Sequence, residues 1–250
     1  MTPRRAFVFL IASLTALAGA ASAQPAAPVQ EAAPEHDKIA FKFTPTHLSS
    51  SDGNDAFDLN LRGVVGAHTA WLGHYRDREG FSQSRGGYEH RQDFGLARTV
   101  LSLQLASGGF AGGSATAELG GETYAIAGWG RTNLRSYYNL NFDPNDAITL
   151  GVGTRAIAHT ELSIYQIRDD RLGTGQRIIH AVVRYKASES ERWTVDVSRK
   201  SGMTDTGAQV QGYGVSVTYD FGNYFARLAR DPYANFTDAS QTRVSLGLRF

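Results

Sequence analysis

Two sets of side chains in this sequence could do chemistry: histidines beside hydroxyl residues, and arginines and lysines spaced along short alternating runs. A histidine within reach of a hydroxyl could serve as general base to a nucleophile. The adjacent pairs are Thr46-His47, His68-Thr69 and His159-Thr160, but neighbours on a strand point to opposite faces, and no G-x-S-x-G elbow occurs. His74 and His180 are the better candidates, because both map to the polar face of their runs, where a hydrogen-bonded filler role competes with catalysis. His68, His74 and His90 lack the spacing that sets metal ligands together, and the chain has no cysteine to complete a site. Asp143-Pro144-Asn145-Asp146 and Asp169-Asp170-Arg171 offer oxygens to calcium, but those residue types also preset turns. The Gly-rich SGGFAGG at 107–113 precedes no helix that would make it a phosphate cradle. No catalytic residue, metal or cofactor is assigned, and the chain reads as a non-enzyme.

The cations belong to a pattern of strands. Runs of about ten residues recur from position 38 to the end, divided by Gly, Asp, Asn and Ser clusters and without helical period. Ile39, Phe41 and Phe43 oppose Lys38, Lys42 and Thr44; Phe57, Leu59 and Leu61 oppose Asp58, Asn60 and Arg62. Trp71 and Tyr75 oppose His74 and Arg76, and Tyr138, Leu140 and Phe142 oppose Asn139 and Asn141. Ile148 to Arg155, Ile179 to Lys186, Trp193 to Ser198 and Gly212 to Tyr219 alternate in the same way. The polar face collects Lys38, Lys42, Arg62, Arg76, Arg98, Arg155, Arg184, Lys186, Arg227, Arg243 and Arg249 against few acids, chiefly Asp58 and Asp196. Glycines 151, 153, 212, 214 and 247 on that face would leave room for long arginines.

The two ends of the chain narrow the class. Arg4 and Arg5, an apolar stretch from Ala6 to Ala18 and the small residues Ala21-Ser22-Ala23 read as a cleaved signal peptide over 1–23. Residues 24–37, rich in Ala, Pro, Gln and Glu, read as a flexible periplasmic leader. Past residue 23 no segment approaches the ~18 apolar residues of a spanning helix. At the other end Val244, Leu246, Leu248 and Phe250 alternate with Arg243, Ser245, Gly247 and Arg249, and the chain stops on the ring. Formal charge is +1, from 25 basic and 24 acidic residues. Removing Arg4 and Arg5 leaves 23 against 24, or −1, which points to no nucleic-acid partner.

Signal peptide, alternating strands and terminal Phe together resemble bacterial outer-membrane β-barrel proteins, over residues 38–250. The resemblance implies an all-β, closed antiparallel transmembrane barrel, of about 12 to 14 strands at the 9–11 residues each crossing needs. It places the protein in the cell outer membrane, in contact with outer-membrane lipid, and makes Phe250 the signal read by the barrel-assembly machinery. Rings at strand ends (Trp71, Tyr75, Tyr138, Trp193, Tyr213, Tyr219, Phe250) suit interfacial girdles, and a mean hydropathy of −0.30 suits a polar interior. With the last strand ending at the periplasm, 231–241, 201–208 and 169–176 become outside loops and 221–223 a periplasmic turn. A basic lumen raises local anion concentration. The favoured expectation is therefore a small passive channel for ions or small anionic solutes. Its selectivity elements would be Arg62, Arg76, Arg98, Arg155, Arg184, Lys186, Arg227, Arg243 and Arg249. The alternatives are a structural or loop-binding barrel with a plugged lumen, its loop 231–238 a partner surface or a cover, and a lipid-modifying enzyme at the membrane rim.

Overall fold

The computed structural model describes residues 38–140 and 145–250. The signal-peptide and leader assignments, and Asp143-Pro144 of the calcium candidate, lie outside them. Alternating residues build fourteen strands: β1 (Ala40–Ser50), β2 (Ala56–Val65), β3 (His68–Asp77), β4 (Ser82–Asp93), β5 (Ala97–Ala106), β6 (Phe110–Gly120) and β7 (Thr123–Thr132) make the first half. β8 (Ala147–Ile157), β9 (Thr160–Asp169), β10 (Arg177–Lys186), β11 (Glu191–Met203), β12 (Gln209–Phe221), β13 (Tyr224–Asp231) and β14 (Gln241–Arg249) make the second. Each strand pairs antiparallel with its sequence neighbours, and β1 pairs with β14 from Lys42↔Arg249 to Ser50↔Gln241, so the sheet is a closed barrel. Closure leaves the sheet without an edge strand, the β1–β14 ladder being interrupted only at Thr44 and Pro45, where proline has no N–H to give.

The connections differ between the two ends. Tight turns at 66–67, 94–96, 121–122, 158–159, 187–190 and 222–223 share one end with both β1's start and β14's finish. Short turns at 78–81 and 107–109 and longer loops at 51–55, 133–146, 170–176, 204–208 and 232–240 occupy the other, the last containing a 3-10 turn at Ala234–Phe236. The loops expected on one side, at 169–176, 201–208 and 231–241, do share an end, opposite the turn at 221–223.

Outward positions form a belt of exposed Leu59, Leu72, Leu101, Leu103, Leu105, Leu150, Val152, Ile164, Val197, Val215, Leu228, Val244 and Leu246. An apolar belt around a closed barrel is the surface such a fold presents to lipid. Trp193, Tyr219, Phe221 and Tyr224 stack in series along its terminus-end border, with centroids 4.3, 5.3 and 5.9 Å apart. Phe250 lies outward there too, stacked on Phe41 at 5.7 Å. The interfacial role of such rings follows from an apolar body with a polar or quadrupolar edge.

Three expectations are corrected. In β3 the alternation holds but the faces are exchanged: Tyr75 is buried in the interior at 1 % exposure while Leu72 is 68 % exposed. Trp71 and Tyr75 therefore point inward, and His74 and Arg76 point outward. Parity alone does not say which face is apolar when an interior ring has an interior ring to stack on. Residues 133–140 form no strand; Tyr138 and Leu140 pack against Leu48 and Tyr75 inside the barrel, a compact contact that mimics half of a strand pattern. Glycines 151, 153, 212, 214 and 247 make room for rings, Pro232, small polar groups and backbone rather than for long arginines, since the atoms nearest an added Cβ belong to Tyr165, Tyr124, Pro232, Ser198 and Phe225 respectively. A Cβ on Gly87 would meet the Trp71 indole at 2.6 Å, and one on Gly153 or Gly247 would strike the ring of Tyr124 or Phe225. Flat rings laid across a glycine on the next strand fill the lumen with rigid apolar volume at small entropic cost.

Candidate functional site

Residues 133–140 enter the lumen at its loop end. The base of loop 133–146 is tied by Asp146, which accepts from Thr132 N (3.2 Å), Thr132 Oγ1 (2.6 Å) and Arg171 Nη1 (2.8 Å). Residues 136–140 lie within the interior. Tyr137 stacks on Phe110 of β6 at 4.4 Å, Gln83 of β4 accepts from Tyr138 N (2.8 Å) and donates to Ser136 O (3.3 Å). The Tyr138 hydroxyl donates to Gln241 of β14 at 2.9 Å, and Arg243 donates to the carbonyl of Leu140. Loop 232–240 also turns inward. Lys200 of β11, 1 % exposed, donates to Asp231 Oδ2 (2.7 Å) and Tyr233 O (2.9 Å), and Phe236 is buried against Ile178 and Val210.

The expected cations are inward with one exception. Arg62, Arg98, Arg155, Arg184, Lys186, Arg227, Arg243 and Arg249 all share parity with interior residues, whereas Arg76 lies on the lipid-facing side beside Phe57. Sequence reading missed Arg85, Arg192 and Lys200. It missed more acids: Glu89, Glu118, Glu161, Asp220 and Asp231 all reach the interior. Arg62 pairs with Glu89 (2.9 Å), Arg98 with Asp93 (3.1 Å) and the buried Arg85 with Asp58 (2.5 Å). Arg227 donates to Thr218 Oγ1 at 3.0 Å. An acid in a short run carries no pairing information by itself; only the cross-strand register brings Glu89 beside Arg62.

A vestibule of ≈ 670 Å³ opens at the terminus end, lined by six cations (Arg98, Arg155, Arg184, Lys186, Arg192, Arg249) and four carboxylates (Glu161, Glu189, Glu191, Asp220). Two acids are each shared by two arginines. Glu161 accepts from Arg155 at 3.1 Å with Arg184 at 3.6 Å, and Asp220 lies between Arg192 at 3.2 Å and Arg249. Arg155 also reaches Glu118 at 2.6 Å and covers the Tyr124 ring at 4.0 Å. Glu189, on the exposed turn, is held below the usual carboxylate range by its hydrogen bond from Lys186. The lining holds six cations to four carboxylates, and two further carboxylates just beyond it, Asp93 and Glu118, pair with Arg98 and Arg155.

The histidines divide. His180 is inward, its Nδ1 3.0 Å from Asp196 and its ring stacked on Tyr165 at 4.9 Å. His74 is outward, with Nδ1 3.0 Å from Ser84 Oγ directly across the ladder. Among the described residues nothing stands behind that imidazole to orient it, which a working nucleophile–base pair requires. His68 and His90, set apart by the sequence, face each other across β3 and β4 with ring centroids 4.9 Å apart. Only the register could have found that pair. No group of three metal-ligating side chains occurs among the described residues.

No protein-family profile matches the chain, and no curated protein matches it in sequence. Solved structures do match in shape. The outer membrane protein Omp33 of Acinetobacter baumannii superposes with a TM-score of 0.53 at 10% identity, covering 85% of this chain and 98% of that one. A variant of the Rh. blastica porin gives 0.49 at 10% identity over 85% and 99%, and the KdgM porin 0.46 at 8% over 84% and 98%. At such identity the likeness concerns architecture, and the Omp33 superposition joins the closed fourteen-strand sheet and its apolar belt: this chain has the fold of a bacterial outer-membrane β-barrel protein.

Proposed function

We propose that the protein is a small passive channel of the bacterial outer membrane, narrowed by loop 133–146 and weakly favouring anions. On this reading residues 1–23 direct export, the terminus end faces the periplasm, and the loop end faces the outside, as short turns and longer loops divide in such barrels. The observation that carries it is the vestibule, whose lining holds six cations to four carboxylates, with Glu161 and Asp220 each lying between two arginines. Arg155 and Arg184 are the leading selectivity residues, with Arg192 on the adjoining strand β11 and Arg249 on β14 joined through Asp220.

A second reading is a barrel whose lumen stays shut. It is supported by the buried Arg85–Asp58 and Lys200–Asp231 pairs at the loop end, with arginine and lysine 3% and 1% exposed. Single-channel current from refolded protein in a planar bilayer, with the reversal potential under a salt gradient, decides between them. The channel reading expects discrete conductance and an anion-favouring reversal potential that Arg155→Ala or Arg184→Ala weakens. Folded, heat-modifiable barrels that pass no current would overturn it in favour of the shut lumen.

A further inference from the structure

Three arginines on the outer wall have no counterpart in the lumen argument. Arg168 of β9, Arg177 of β10 and Arg199 of β11 share the outward parity of Ile164, Val183 and Val197, at the loop end of their strands. Arg168 and Arg177 are directly opposed in the ladder, and Arg199 is opposed to Ile179, two positions along β10 from Arg177. Directly opposed side chains have Cβ atoms about 5 Å apart, and like charges there oppose each other. None of the three makes a side-chain hydrogen bond or ion pair with a described residue.

The acids that could neutralise them are engaged elsewhere. Asp169 points inward and accepts from the backbone of Arg171 (3.1 Å), Leu172 (3.1 Å) and Thr174 (3.1 Å) in its own loop. Asp170 takes a two-pronged bond from Arg131, 2.7 Å on each side. The repulsion between Arg168 and Arg177 is thus left for something outside the chain to offset.

Directly below the cluster, toward the mid-belt, Leu150, Ile164, Val183, Val197 and Val215 are exposed between 41% and 59%. A ligand covering both features needs an anionic head at the arginines and hydrocarbon beneath. Guanidinium forks match phosphate oxygens in geometry and charge. We infer that Arg168, Arg177 and Arg199 form a binding site for the phosphorylated headgroup of an outer-leaflet lipid, its acyl chains lying along β8 to β12. The site shares the membrane orientation of the channel reading but not its lumen, since all three arginines face away from the interior.

The test uses the full mature chain in dodecyl maltoside, titrated with diphosphoryl lipid A, with the same lipid dephosphorylated and with inorganic phosphate. Bound lipid is counted by native mass spectrometry. At about one kcal/mol of attraction per arginine, the triple variant R168Q/R177Q/R199Q is expected to lose roughly 100-fold in lipid A affinity, with Arg230→Gln on β13 as control. The dephosphorylated lipid and inorganic phosphate should each bind the wild type far more weakly than lipid A. A second readout guards against a folding defect: without lipid, Arg177→Gln should unfold at or above the wild-type temperature, because a repulsion is gone, and with lipid A the order should reverse. Equal lipid A affinity in the triple variant, equal binding of the dephosphorylated lipid, or full saturation by inorganic phosphate would each overturn the inference. Conductance of the triple variant should match the wild type, so a shut lumen and an absent lipid site give different results.

Discussion

The phenol ring of Tyr138, carried on loop 133–146, lies stacked on Tyr75 of β3, with centroids 3.8 Å and planes 20° apart. Its hydroxyl is bonded to Gln241 of β14, so one loop side chain ties together β3 and β14, three strands apart around the wall. Tyr138→Ala should free the loop and enlarge the passage, at a stability cost of about 2–4 kcal/mol from lost ring burial. The check is single-channel conductance, expected to rise several-fold; an unchanged current would mean that the constriction lies elsewhere.

Glu161→Gln tests the vestibule from the opposite direction to an arginine deletion. With the carboxylate gone, Arg155 keeps only Glu118 and Arg184 loses its 3.6 Å partner, so fixed positive charge increases. The reversal potential should move further toward anions, by an amount that shrinks in concentrated salt as the field is screened.

The Arg85–Asp58 pair should behave as a buried ion pair does when halved. Arg85→Met leaves Asp58, 1% exposed, as an uncompensated charge and should cost about 3–5 kcal/mol, whereas Arg85→Met with Asp58→Leu should be nearly neutral. Urea unfolding from detergent micelles, followed by the heat-dependent gel shift, separates the two. Equal losses in single and double variants would contradict the pairing.

Gly153 and Gly247 should resist even one added methyl. Gly153→Ala places its Cβ in the Tyr124 ring, which also donates to Glu161; the expected loss is about 1–3 kcal/mol from overpacking. Gly66→Ala, in a turn with open space but positive φ, should lose stability through backbone strain alone, about 1 kcal/mol. Gly153→Ala with Tyr124→Leu should recover part of the loss, which a strain origin would not allow.

Deleting Phe250 should impair insertion in cells. The ring is 64% exposed on the outward face and caps Phe41, while the neighbouring backbone bonds between positions 41 and 250 are 2.8 and 3.0 Å. The membrane-inserted, heat-modifiable fraction is the measurement. A normal fraction would deny the residue any role in assembly.

Strand existence and the closed class were legible from the two-residue alternation, because lipid outside and polar groups inside impose opposite demands on successive positions. Which way a face points was legible where it carried only aliphatic residues, as in β14. It failed in β3, where Tyr75 is apolar in body yet belongs to the interior through its stack with Tyr138. Most cations of the lumen were legible for the same reason of parity, Arg85, Arg192 and Lys200 excepted, but their partners were not: Glu118 and Glu161 meet at Arg155 through register across β6, β7, β8 and β9. Loop 133–146 was illegible as a plug because its anchor residues, Gln83 and Gln241, are ordinary polar positions until the barrel brings them together.

The anchoring of Tyr138 to distant strands constrains the order of events during assembly. Tyr138 is 103 residues from Gln241 and 55 from Gln83 in the bond each makes, and Thr46 and Ser245, which share a hydrogen bond at the seam, are 199 apart. Contacts of such long range form late. The loop between the middle strands can seat only on a wall whose first and last quarters already stand side by side. In a refolding time course, quenching or exchange protection at Tyr138 should therefore follow, never precede, the gel shift that marks the closed cylinder, making the loop a built-in witness that the first and last strands have met.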